Sequence, residues 1–154
     1  CYFVVLEHIS RFFKQGLGPE EVGSLPMNGQ MNYISLTAEA KKINKTAPGY
    51  VVQSWLRDGS TLLFLHYWEQ KNNADFDVAG YEALVDELKN GASTLTAKKW
   101  IESTHAVGLQ SKMGKHGGTY AHPEIACAFC AWLRPEFHYT LIQSFLETHR
   151  DWGR

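Results

Sequence analysis

The stretch GGTYAHPEIACAFCAWLRPEF, residues 117–137, has two glycines at its start and prolines at positions 123 and 135. The glycines belong to residues 105–121, where short extended stretches flank a Gly-rich turn, and this pattern predicts a β-hairpin. Proline is favoured in the first turn of a helix, so Pro123 and Pro135 predict two helices, over residues 123–132 and 135–150. This part of the chain is therefore expected to form a hairpin followed directly by two helices.

The same stretch contains His122, Glu124, Cys127 and Cys130, the residue types that hold zinc and move protons in the zinc nucleobase deaminases. The spacing argues against a metal site, because both cysteines fall inside the predicted helix, without the tight turn usual in zinc Cys-x-x-Cys pairs. Ala126 also stands where the deaminase pattern has a proline. Free cysteine is among the most buried residue types, so we expect two core thiols, no metal and no cofactor.

The composition is that of an ordinary globular protein: 154 residues, 44% hydrophobic and 20% charged, enough for one domain with an appendage. The 15 Lys and Arg against 16 Asp and Glu leave the chain nearly neutral, so overall charge does not identify a partner. The small number of cysteines predicts a reducing compartment. With neither a secretory leader pattern nor an apolar run long enough to span a membrane, we expect a cytoplasmic protein.

Outward from the hairpin, hydrophobic periodicity divides the chain into an N-terminal extension and a longer domain. Residues 1–17 have the apolar spacing of an amphipathic helix and residues 16–30 the composition of a linker, so we expect an extension over 1–28 and a domain over 29–150. Within the domain the predicted elements are a strand in QMNYISL (30–36), a helix capped by Thr37 and ending near Asn44, a helix opened by Pro48 and ended by RDGS (57–60), a helix capped by Ser60, and helices over 79–89 and 96–104.

The segment GYVVQSWLR (49–57) separates polar from apolar side chains at helical spacing. One face contains Tyr50, Gln53, Ser54 and Arg57, and the opposite face contains Val51, Val52, Trp55 and Leu56. Guanidinium and amide groups can pair bidentately with guanine and adenine, and hydroxyl groups reach phosphate oxygens. The segment therefore predicts a helix that contacts a duplex, although an ordinary surface helix has the same pattern.

Charge is unevenly distributed along the chain. Residues 31–57 contain four basic side chains against one acidic, residues 98–122 likewise, and residues 69–87 six acidic against one basic. Basic segments are typical of phosphate binding, and the acidic segment is expected to be a solvated face that points away from DNA. The basic residues expected to contact phosphate are Lys41, Lys42 and Lys45 before the polar helix, and Lys112, Lys115 and His116 at the hairpin tip.

Three blocks of the sequence closely resemble the KilA-N domain family. They are YISLTAEAKKIN (33–44), SWLRDGST (54–61) and the GGTYAHPEIACAFCAWLRPEF stretch, in the family's order and together covering about residues 30–150. Members often have Asn where Ser35 stands and Trp where Tyr120 stands. The resemblance implies an α+β, predominantly helical, compact KilA-N/APSES-like domain with a helix-turn-helix and a small β-hairpin wing, and it implies DNA binding.

The leading hypothesis is a regulatory, phage- or prophage-related module without enzymatic activity that binds double-stranded DNA, by sequence or by structure. A homo-oligomer is possible, and neither a membrane nor a small-molecule substrate is expected. One alternative is a protein-interaction module whose basic faces bind an acidic partner. The other is a metal-dependent nuclease or hydrolase using Asp75, Asp77 and the histidines, although no histidine pair has metal-ligand spacing on one helical face.

Overall fold

The computed structural model of the chain describes residues 32–92 and 94–154. The expected amphipathic helix over 1–17, the linker over 16–30 and the extension over 1–28 lie outside the described residues. No helix within the described part is long and apolar enough to cross a membrane. The elements there are β1 (Ile34–Ser35), α1 (Leu36–Ile43), α2 (Pro48–Leu56), α3 (Gly59–Asn72), α4 (Val78–Lys89), α5 (Ala97–Thr104), β2 (Leu109–Lys112), β3 (Gly118–Ala121), α6 (Pro123–Leu133) and α7 (Pro135–Thr148).

The three strands form one antiparallel sheet with β3 at its centre, in the order β1-β3-β2. Leu109 and Ile34 both pair with Ala121, from opposite sides, and Lys112 pairs with Gly118 at the far end of the hairpin. This geometry confirms the hairpin expected over residues 105–121. The fold is α+β and predominantly helical, as predicted.

The N-cap of the first helix lies two positions earlier than expected, so the prediction that Thr37 is its N-cap is wrong. Ser35 caps α1, and its hydroxyl accepts a hydrogen bond from the N–H of Ala38 at 3.1 Å. The hydroxyl of Thr37 instead accepts from the backbone N–H of Thr119 in β3 at 3.0 Å. A tertiary bond to the hairpin has therefore taken the side chain that the local sequence offers as a cap.

The N-cap of α3 also differs from the prediction, here because of a residue close in the sequence. Asp58, rather than Ser60, caps the helix, and its carboxylate accepts from the N–H of Ser60 at 2.9 Å and from that of Thr61 at 3.4 Å. The Ser60 hydroxyl also donates to Asp58, at 2.5 Å, and this bond lowers the pKa of the Asp58 carboxyl. Aspartate is at least as good a cap as serine, and here it begins the helix two residues earlier than expected.

The described residues form two structural units, one over 33–129 and one that contains 130–154. The first unit has a core of large side chains from several elements, among them Leu36, Trp55, Leu65, Trp100 and Phe129, each at most 2% exposed. The second unit contains α7, on which Phe137 is buried while Tyr139, Ile142, Phe145 and Leu146 remain partly exposed.

Glu69 is the most deeply buried carboxylate of the first unit, with no exposed surface. Its oxygens accept hydrogen bonds from the backbone N–H groups of Val107, at 3.1 Å, and Gly108, at 2.7 Å. The Asn73 amide donates to the same carboxylate at 2.9 Å, and also to the carbonyl of His105 at 2.8 Å. A charge without water needs several donors, and Glu69 obtains them from the loop that enters β2.

His122 stands at the entrance of α6 and packs among aromatic rings. Its ring centroid lies 5.0 Å from that of Trp68 and 6.1 Å from that of Tyr33. Its Nδ1 accepts from the N–H of Glu124 at 3.2 Å, while Trp68 Nε1 donates to the Glu124 carboxylate at 3.0 Å. Burial lowers the pKa of His122, although the negative charge of Glu124 opposes that shift.

We predict that Glu69→Ala lowers the free energy of unfolding by about 2–4 kcal/mol, because buried backbone N–H groups lose their acceptor. The matched control is Glu102→Ala, whose side chain is 64% exposed and lies 3.8 Å from the Lys98 ammonium. That change should cost no more than about 0.5 kcal/mol. Urea unfolding followed by tryptophan fluorescence measures both. Equal losses in the two variants would contradict the role of Glu69.

We predict that the protein loses stability as the pH falls below about 6.5, because the unfolded chain protonates His122 before the folded chain does. The loss continues until the pH reaches the lowered pKa of the folded state. His122→Asn keeps an acceptor for the Glu124 N–H but cannot titrate there, so its urea midpoint should depend less on pH. His116→Asn, at an exposed histidine, is the control and should keep the wild-type slope. An unchanged slope in His122→Asn would refute this prediction.

Candidate nucleic-acid interface

The helix α2 has the two faces that its sequence predicts. Val52, Trp55 and Leu56 are buried, at most 3% exposed. The Trp55 ring meets the ring of Phe129 edge to face, with centroids 5.0 Å apart. Truncation of a buried tryptophan of this kind costs about 3–5 kcal/mol, so the inner face fixes the orientation of the helix within the unit.

The outer face of α2 brings three of the predicted contact residues together. Tyr50 is 62% exposed, and the guanidinium carbon of Arg57 lies 5.9 Å from the centre of its ring. Arg57 Nη2 also donates to the Ser54 hydroxyl at 3.4 Å. Arg57 and Gln53 are both partly exposed. We call Tyr50, Gln53, Ser54 and Arg57 the reading face; its arginine packs along the helix surface instead of extending freely into solvent.

Helices α1 and α2 pack against each other and are joined by a four-residue turn. The Asn44 side chain accepts from the N–H groups of Thr46, at 3.1 Å, and Ala47, at 3.0 Å, which fixes the turn. The short turn therefore holds α1 and α2 together as a packed helix pair.

The three lysines around this turn differ in their surroundings. Lys42 forms an ion pair with the buried carboxylate of Glu39 at 2.8 Å, so its charge is already compensated within the helix. Lys41 and Lys45 are exposed, and no ion pair joins either of them to another residue within 32–92 or 94–154. The structure thus distinguishes two exposed lysines that have no ion pair within the described residues from one whose ion pair lies within α1.

The hairpin of β2 and β3, residues 109–121, is called the wing. Lys112 lies over the ring of Tyr120, with its ammonium 4.4 Å from the centroid. The Tyr120 hydroxyl donates to the carbonyl of His116 at 3.0 Å, which ties the loop to β3. Lys115 and His116 are exposed at the tip. The structure therefore places all three predicted basic residues on one short hairpin.

One exposed residue of the wing was not among the predicted contact residues. Met113 is 91% exposed and lies between Lys112 and the glycine at position 114. The sequence position of Met113 could have predicted its exposure, because a large apolar side chain in a short basic turn cannot reach a core.

The net charge of a sequence segment does not show which of its charged side chains are free of ion pairs and which are paired or buried. Lys99 forms an ion pair with Glu87, and Lys98 lies near Glu102, so half of the lysines in residues 98–122 face carboxylates. The segment 69–87 is not a uniformly solvated face, because Glu69 is buried and Asp77 caps α4 through the N–H of Gly80 at 3.0 Å.

The residues that resemble a zinc site are hydrogen-bonded or buried within the fold. Glu124 accepts a hydrogen bond from Trp68, and His122 accepts one from the helix backbone. Cys127 and Cys130 are buried, and burial raises the pKa of Cys127 to about 11, which disfavours the thiolate that a metal requires. Within residues 32–92 and 94–154, no group of three or more His, Cys, Asp or Glu side chains could hold a metal ion.

Comparison with known protein families gives a match to the KilA-N domain over residues 20–151. No significant match was found among curated proteins or among solved structures. The matched range contains the reading face, the wing and the helices that follow it, and the α+β architecture is consistent with the family. The chain therefore belongs to the KilA-N family of DNA-binding domains.

Proposed function

We propose that the chain is a regulatory double-stranded DNA-binding module, without catalytic activity of its own, that acts on phage or prophage DNA in the cytoplasm. In this proposal the reading face contacts base edges, and the exposed basic residues of α1, the turn and the wing contact phosphates. The observation that carries it is the cluster of Tyr50, Ser54 and Arg57 on the outer side of a helix whose inner side is anchored in the core.

The side chains of the reading face are held in place by contacts with one another, and this favours base contacts over a general electrostatic role. An arginine already held against a tyrosine ring and a serine hydroxyl loses less conformational freedom when it binds. Its planar fork can pair bidentately with guanine. Gln53, one turn before Arg57 and partly exposed, can pair with adenine, while Tyr50 can donate to a phosphate.

The phosphate contacts proposed here are Lys41, Lys45, Lys112, Lys115 and His116. The four lysines are exposed, and none of them pairs with a carboxylate within the described residues. Lys42 was expected in this set, and its ion pair with Glu39 makes it a weaker candidate. Four neutralised phosphates correspond to a slope of about −3.6 for the logarithm of affinity against that of salt concentration.

We predict that affinity for a duplex falls about 100-fold between 50 and 200 mM salt, because bound lysines release counterions from the DNA. Fluorescence anisotropy with a labelled duplex measures this directly. Lys45→Ala should weaken binding to all sequences and make the slope shallower by about one.

The control for Lys45→Ala is Lys98→Ala, which removes the same charge from a side chain that is 68% exposed and lies beside Glu102. It should leave affinity and slope near the wild-type values. Equal effects of the two changes would mean that net charge alone governs binding. Absence of duplex binding, with retention of an acidic polypeptide such as polyglutamate, would support the alternative of an acidic protein partner.

We predict that Arg57→Ala costs about 1–3 kcal/mol of binding free energy on the preferred duplex and much less on random DNA, because a base contact is lost. Arg57→Lys keeps the charge but lacks the fork, so it should retain nonspecific binding and lose preference. Selection from a random duplex pool supplies the preferred sequence. The same loss on both duplexes, for either variant, would assign Arg57 to the phosphate backbone.

A further inference from the structure

We propose that Met113 is an apolar wedge that inserts between base pairs from the minor groove and bends the duplex. This inference rests on the proposed duplex binding and adds to it a distinct mechanical step. It identifies the ligand of the wing tip as a deformable base step of double-stranded DNA, in addition to the phosphate groups on either side. Architectural proteins use methionine, leucine, isoleucine or phenylalanine in this way.

The first argument is the exposure of Met113. Its side chain is 91% exposed, more than that of Trp152 at 68% or Leu63 at 64%. It therefore presents nearly its whole apolar surface to water. Removal of this surface from water is favourable, and it requires a partner that covers the side chain. The hairpin tip projects one such side chain, which suits a narrow slot better than a broad protein surface.

The second argument is the rigidity of the support. Gly114 has φ +98°, a left-handed conformation that suits glycine, and its carbonyl accepts from the N–H of Gly117 at 2.9 Å. A Cβ at Gly117 would lie 2.5 Å from the carbonyl oxygen of Lys112, so the loop closes tightly behind Met113. The bond from the Tyr120 hydroxyl to the His116 carbonyl fixes the other side of the turn. A fixed turn is needed for a side chain that has to separate stacked bases.

The third argument is the charge that flanks the wedge. Lys112 and Lys115 bracket Met113 in the sequence, and both are exposed. One cation on each side of an apolar tip matches a minor groove, where phosphates line both walls and an apolar side chain can enter between base pairs. An acidic protein groove would account for the lysines, but not for a methionine standing out between them.

The test measures DNA bending and affinity with the full chain and a duplex of about two helical turns labelled at both ends for energy transfer. The wild-type complex should be bent by at least about 20°. Met113→Gln, which keeps length and removes apolar character, should abolish most of the bend and weaken binding about 5- to 20-fold. Met113→Leu should retain both.

Two further readouts separate a wedge from a general contact. The salt slope of Met113→Gln should equal that of the wild type, because no charge is lost, and netropsin, a minor-groove ligand, should compete with the wild type more strongly than with the variant. Leu63→Gln, at a residue of α3 that is 64% exposed, is the matched control and should leave the bend and affinity unchanged.

The outcomes distinguish this inference from the proposed function. Salt-dependent duplex binding without a bend, or with a bend and affinity that Met113→Gln leaves intact, would overturn the wedge and leave the DNA-binding proposal standing. A chain that binds no duplex at any salt concentration would overturn both. A circular-dichroism spectrum identical to the wild type shows that Met113→Gln is folded.

Discussion

The arrangement of the proposed interface depends on one hydrogen bond between distant parts of the chain, from the N–H of Thr119 to the hydroxyl of Thr37. Gly118, beside it, has φ +143°, and a Cβ there would lie 2.6 Å from the Thr37 oxygen. The central strand of the sheet therefore lies directly against α1. Because α1 also packs against α2, the wing and the reading face are held by the same helix.

The charged side chains serve two purposes that total charge does not separate. Some are part of the fold: Glu69 holds the loop into β2, Glu39 holds Lys42, and Lys99 pairs with Glu87. Others, among them Lys41, Lys45, Lys112 and Lys115 of the proposed interface, have no carboxylate partner in the described part of the chain. An exposed lysine without an ion pair gains most from a phosphate, because no existing interaction has to be broken. The site proposed here is therefore smaller than the basic segments of the sequence.

Much of the architecture could be predicted from the sequence because the signals are local. Pro48, Pro123 and Pro135 begin helices, and the Gly-rich turn forms the wing. One error arises where a distant residue competes for a side chain, because Thr37 bonds to the hairpin instead of capping its helix. The other is local, because Asp58 caps α3 in place of Ser60. Glu69 looks like a surface carboxylate, and its role depends on backbone N–H groups 38 and 39 residues further along. For the candidate site, the polar face of α2 was predictable, whereas the packing of Arg57 and the exposure of Met113 needed coordinates.

The most direct test of the central claim, that the reading face and the wing contact one duplex together, is a titration followed by backbone amide chemical shifts. On addition of a specific duplex, the amides of residues 50–57 and 112–116 should shift along the same binding curve, while those of α4 remain nearly unchanged. Shifts confined to one of the two regions, or concentrated on α4 or α7, would contradict the account.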